Sequence, residues 1–348
     1  MTRYLALDSI RGICAVLVAV FHFPAQSYLT SAAHNAYLFV DFFFVLSGFV
    51  IMHAYGKALA PAPFLLRRIG RVWPLHVAML LVLIALEVFR YVMQQRGTPV
   101  GPPAFVDERE PLAIVTNFFL VHCWGVHDHD TWNGPSWSIS VEMLAYIAFA
   151  LTALLPWRRV VAAVIVAVSW VVVAMAPDGM ASTYDFGVFR GLTGFFLGVL
   201  VYRPAPVRGT WAELLAVGLV TTVLAIDEVA LAAPAVFAFT VSVFSAEDGV
   251  ISGWLMRAGP RKLGEWSYSI YMTHAPLMIC VLGAGVLASK LTGVRIVDGS
   301  TLLVGSYGDV AVLVYLGVVI AVSSVTYRLV EKRFRAWFNE RAKRLERG

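Results

Sequence analysis

Arg11 and His22 stand eleven residues apart in an otherwise apolar run, DSIRGICAVLVAVFHF. At ~3.6 residues per turn this is close to three turns, so a helix would put both on one face, ~16 Å apart along its axis. Ionisable side chains are costly inside a bilayer, and where they occur they mark functional paths. The plainer alternative is an arginine that snorkels to the headgroups and a satisfied core histidine. Two carboxylates lie at a depth similar to His22: Asp41, one turn into YLFVDFFFVLSGFVIMHAY, and Glu142, near the start of SWSISVEMLAY. A histidine with two carboxylates suits general-base catalysis, with a carboxylate orienting the imidazole and supporting its cation. It suits a proton relay in a transporter equally well.

A second charged layer lies towards the other side. The segment FLLRRIGRVWP, read as a loop, holds Arg67, Arg68 and Arg71. Arg68 and Arg71 are three apart, so a helical turn would aim both the same way. Paired guanidinium groups suit phosphate recognition through charge-assisted hydrogen bonds, although ordinary positive-inside topology accounts for them too. Arg11 sits near the same depth, and SYSIYMTHAPL brings His274 up from this end. The loop VHCWGVHDHDTWNGPSW crowds His122, His127, Asp128, His129 and Asp130, but lacks the spacing that puts two ligands on one helical face. It reads as a solvated cover over an entrance and not as a metal site, with Trp132 and Trp137 as interfacial anchors or stacking surfaces. Ser47, Trp137, Tyr271 and His274 complete a candidate substrate path.

The elements that must carry these residues are membrane helices. Of 348 residues, 59% are apolar and 14% charged, with a mean hydropathy of +0.75, which excludes an ordinary soluble enzyme. An all-α polytopic protein follows, with about ten spans at 5–28, 37–56, 73–93, 136–156, 160–177, 186–202, 211–227, 229–245, 267–288 and 309–329. Residues 111–125 are too short to span and read as a loop or re-entrant segment. With the N-terminus inside, 21 of the 27 basic residues fall on the inner side, Arg3 and Arg203 among them, and the net charge of +5 belongs with anionic lipid, not nucleic acid. Residues 1–335 form one membrane domain, and 336–348 a basic cytoplasmic tail. Cys14, Cys123 and Cys280 show neither disulfide nor metal spacing.

The ordered set LDSIRG with Arg11 and His22, VDFFFVLSGFV, RRIGRVWP, NGPSWSISVE, LGEWSYSIYMTHAPL and YRLVEKRFR resembles the membrane-bound acyltransferase family 3. That family includes bacterial O-acetyltransferases acting on O-antigen, Nod-factor and other glycans, and macrolide acyltransferases. The resemblance implies acyl-CoA-dependent transfer to a hydroxyl; the leading expectation is an acetyl or other short acyl group passed from cytoplasmic acyl-CoA, acetyl-CoA above all, to a carbohydrate outside. It implies His22 as catalytic, Arg11, Arg68 and Arg71 as acyl-CoA-binding, and Asp41 and Glu142 as matching acidic positions. His274 matches the TH of the ninth-span motif. No permanently bound cofactor is expected, and the expected location is the bacterial inner membrane with both termini cytoplasmic. A macrolide-type acceptor, or a proton-coupled exporter or flippase, are the competing readings; the absence of inverted repeats weakens the transporter.

Overall fold

The computed structural model describes residues 4–98, 102–202 and 207–347, so Arg3 and Arg203 of the charge count lie outside the described residues. In chain order, α1 (Leu5–Phe21) and the short α2 (Tyr28–Ala32) precede α3 (Phe39–Tyr55). Helix α4 (Pro61–Gln95) and the short α5 (Pro111–Phe118) lead through a loop into α6 (Trp137–Thr152). Then follow α7 (Arg158–Met175), α8 (Gly187–Val201), α9 (Thr210–Ala225), α10 (Ala233–Phe244), α11 (Val250–Leu255), α12 (Ala258–Thr292), α13 (Gly308–Thr326) and α14 (Lys332–Leu345). A two-residue hairpin, β1 (Val297–Asp298) with β2 (Thr301–Leu302), is the one sheet among the described residues.

The protein is a predominantly helical membrane protein. Among the described residues, six helical segments are long and apolar enough to cross a bilayer: Ala36–Tyr55, Pro61–Gln95, Arg158–Met175, Asp227–Phe244, Ala258–Thr292 and Gly305–Leu345. The other four predicted spans form α1, α6, α8 and α9, of 15 to 17 residues each. At ~1.5 Å per residue these reach less than the ~30 Å of a hydrocarbon core, so ten full-length crossings are not what the helix lengths give. The burial pattern is that of a protein in lipid. Helix α7 buries Ala162, Val166, Ser169 and Val173 on one stripe and turns Val160, Val164, Val168 and Val171 outward.

Close backbone approach positions the site. Helix α1 packs along α12, and α8 packs along both α3 and α7. Where α1 meets α12, a Cβ on Gly12 would lie 2.4 Å from the Leu263 carbonyl carbon, and one on Gly264 would lie 2.4 Å from the Asp8 oxygen. Where α3 meets α8, a Cβ on Gly198 would lie 2.0 Å from the Val45 oxygen. Without an apolar solvent to expel, helices in a membrane associate through such small-residue contacts.

Two prolines lie inside helices. The segment FLLRRIGRVWP is not a loop: α4 runs unbroken through Pro74, so Arg67, Arg68 and Arg71 stand on a helix. Helix α12 likewise runs through Pro276, which leaves the Met272 carbonyl without its i+4 donor; the Asn133 side chain donates to it at 3.3 Å. Helix α13 continues through a π-turn, Tyr327–Glu331, directly into α14. The tail predicted to lie against lipid therefore packs on α4. Phe338 covers Gly70, and Arg67 grips both Glu346 carboxylate oxygens at 2.7 Å.

Candidate active site

Helix α1 ends at Phe21 because Pro24 follows closely and cannot continue it. His22 is thereby its C-cap, and its Nδ1 lies 2.9 Å from the Val18 carbonyl. A carbonyl can only accept, so Nδ1 carries the proton and Nε2 keeps a basic lone pair. The His22 ring centre is 5.0 Å from that of His274, and His274 is 5.7 Å from Tyr271. His274 is fully buried and neither of its ring nitrogens has a hydrogen-bond partner among the described residues.

Towards the basic end of the bundle lies a cavity of about 450 Å³. Its polar wall includes Arg11, Arg68, Arg71, Glu142, Glu331 and Arg335, and its far end reaches Ser138 and Tyr271. Arg11 is held by Asp8 at 3.1 Å, by the Ser267 hydroxyl at 2.8 Å and by the Gly264 carbonyl at 3.1 Å. The last contact needs the close crossing of α1 and α12. The Arg68 guanidinium lies 5.9 Å from the ring centres of Tyr55, Phe64 and Tyr146, and its buried Nε makes no hydrogen bond among the described residues. Arg71 has no hydrogen-bonding partner among the described residues, and faces the charges of Glu331, Glu142 and Asp8. Such a wall can take up an anion without first breaking an ion pair at Arg68 or Arg71.

The single layer of His22, Asp41 and Glu142 expected from the sequence is not formed. Asp41 is fully buried and paired with Arg190 of α8, which donates through Nη2 at 2.7 Å and through Nε at 3.1 Å to both oxygens. A buried carboxylate requires a countercharge, and Arg190 lies closer than any imidazole. Glu142 accepts from Ser47 at 2.8 Å and from Tyr146. Since Ser47 is six residues further along α3 than Asp41, Glu142 sits ~9 Å deeper than the sequence reading placed it, in the arginine cavity. No hydrogen bond joins His22 to either carboxylate among the described residues.

Trp137, expected on the substrate path, is buried beside the Arg190 guanidinium at 5.3 Å and the Phe44 ring at 5.9 Å, and does not itself line the cavity. Ser47 and Tyr271 do line the cavity. His22 does not: Tyr271, donating to the Pro135 carbonyl and bonded to Ser138, both at 2.8 Å, stands between.

Two charged residues went unread in the sequence. Arg190 is one of the six basic residues that the charge count leaves on the outer side, although an Asp in the second span calls for a partner at matching depth. Glu331, within YRLVEKRFR, is buried and accepts from Ser269 at 3.1 Å. The π-turn that aims it inward leaves no sequence period to find.

The profile of a family described as an acyltransferase domain matches residues 4–328. Among curated proteins, the chain is 33% identical over 168 aligned residues to "Protein 2 in picA locus" of Rhizobium radiobacter, covering 42% of this chain and 81% of that protein. It is 24% identical over 373 aligned positions to "Acyltransferase MdmB" of Streptomyces mycarofaciens, covering 95% of this chain and 91% of that one. No solved structure matches it. A family match over nearly the whole length, together with a full-length relative named for acyl transfer, leads to one conclusion: the chain belongs to the acyltransferase 3 family and is an acyl-transferring membrane enzyme.

Proposed function

We propose that the protein takes an acyl group, acetyl first, from a cytoplasmic acyl-CoA and passes it to a hydroxyl of a carbohydrate at the outer side of the inner membrane. The observation that carries this reading is the arginine-walled cavity lined at one end by Tyr271, whose ring lies 5.7 Å from that of His274, itself 5.0 Å from His22 in a tilted contact. The CoA phosphates would meet Arg68 and Arg71, which have charge to give, while the pantetheine arm passes Arg11. The four helices of 15 to 17 residues complete a ten-helix bundle, locally thinning the bilayer.

In the transfer step His22 Nε2 takes the proton of the acceptor hydroxyl as its oxygen attacks the thioester carbonyl. The C–S bond then breaks, and the proton passes from the imidazolium to the leaving thiolate, so CoA departs as the thiol. The Val18 carbonyl keeps the ring in the tautomer this needs. Tyr271 must swing for the thioester to reach His22, because its ring partitions the cavity from the histidines.

A purified chain in nanodiscs should transfer radiolabelled acetyl from acetyl-CoA to an oligosaccharide acceptor. His22→Ala should reduce transfer by ~10²-fold or more, the usual scale of a lost general base, with the protein still folded. Full activity in that variant would remove His22 from the chemistry. Arg68→Ala with Arg71→Ala should raise the Kd for acetyl-CoA, read by thermal shift, and leave acceptor binding alone. An acceptor screen in which only small apolar alcohols are acylated would replace the carbohydrate with a macrolide-like substrate. The exporter reading has lost its main support, since Asp41 is committed to Arg190 and cannot join a relay with His22.

A further inference from the structure

We propose that Glu110, His127 and His129 form a binding site for one divalent transition-metal ion of the zinc type, clamping the loop that leads into α6. The three residues each offer a ligand atom, and these atoms all lie within 4.8 Å of one another. Glu110 lies seventeen positions before His127, at the start of α5, and the chain returns to it after that helix.

The hydrogen bonding around His127 calls for a cation. The Thr116 hydroxyl donates to the Ala113 carbonyl at 3.1 Å, so its oxygen accepts from His127 Nε2, 2.8 Å away. With Nε2 carrying the proton, the lone pair of Nδ1 points at a carboxylate oxygen of Glu110 only 3.2 Å distant. Two acceptors would face each other there, so the contact takes either a second proton on Nδ1, giving an ion pair with Glu110, or a metal ion between the two. Ligands ~2.0–2.2 Å from a tetrahedral zinc lie ~3.3–3.5 Å apart, close to that separation.

The surroundings have the form of a ligand sphere. Thr116 holds His127 by its outer nitrogen, as residues around a metal fix a ligating imidazole. Asp128 holds His129 through Nδ1 at 2.8 Å and leaves the other ring nitrogen for the ion. His127 is buried while His129 is exposed, so one side is preformed and the other open for entry. Two imidazoles and a carboxylate favour zinc-type ions over magnesium or calcium, whose preferred ligands are all oxygen.

The full chain in detergent, freed of any affinity tag and treated with EDTA, is titrated with ZnCl2 by calorimetry and with CoCl2 by absorption. One ion per chain is expected, with the visible bands of four-coordinate cobalt and a zinc-dependent rise in Tm. Glu110→Gln and His129→Ala, both at accessible positions, should each raise the Kd at least tenfold and abolish the Tm rise. His127→Gln should do the same; if it does not fold, the two accessible variants decide. The proposal is overturned by a wild-type chain with no saturable zinc site, by variants that bind as the wild type does, or by MgCl2 producing the same stabilisation.

Discussion

Asp41 and Arg190 show how one charge dictates another's place. Both are buried, both stand near the same end of their helices, and three donor–acceptor contacts join them. Asp41→Asn or Arg190→Met alone leaves an uncompensated charge in a low-dielectric interior, at a cost of about 3–5 kcal/mol. The double variant removes both and should recover much of the loss. Thermal unfolding in detergent checks this, and additive losses in the double variant would mean the pair is not coupled. His22 differs in kind: the one side-chain hydrogen bond it makes among the described residues goes to its own helix, which leaves its second nitrogen available for chemistry.

Among the helices, the stripe Gly191, Gly194 and Gly198 on α8 brings its backbone onto α3, and this approach puts Arg190 within reach of Asp41. Gly198→Ala drives a methyl into the Val45 carbonyl and forces the helices apart, whereas Gly218→Ala on α9 meets nothing within 4 Å. The first should lower Tm markedly and weaken the Asp41 pair. The second should be neutral, or stabilising by up to ~1 kcal/mol from helix propensity. Equal effects of the two would refute packing as the role of the glycine stripe. The prolines act in the opposite sense, each freeing a carbonyl that a neighbour must satisfy, as Asn133 does for Met272.

Across the fold, the C-terminal helix closes back on the helix that carries the paired arginines. The Arg67 hydrogen bonds hold the Glu346 carboxyl below its ordinary carboxylate value. A depressed pKa means that docking of α14 gains from this contact at neutral pH, keeps it down to the ordinary value of about 4.3, and loses it as pH falls through the lowered one. The contact is exposed to solvent, so the gain is small and salt-sensitive. Trp337 fluorescence should report acid undocking as the pH falls below the ordinary carboxylate range, shifted or absent in Glu346→Gln. An unchanged transition in that variant would assign the docking to Phe338 and Gly70 alone.

Much of this protein was legible in its residues. Apolar runs, the positions of charge and the ordered motifs defined a helical membrane protein and its family. These are local properties: hydropathy and helical period depend only on neighbours along the chain. Which charges meet was decided elsewhere. Asp41 found Arg190 instead of His22, Glu142 joined the arginines, Glu331 was turned inward by a π-turn, and Glu110 reached His127. Depth along a helix can be counted from the sequence, but the facing residue is fixed by rotation and close approach between helices. Those depend on glycine crossings and proline breaks distributed over the whole chain.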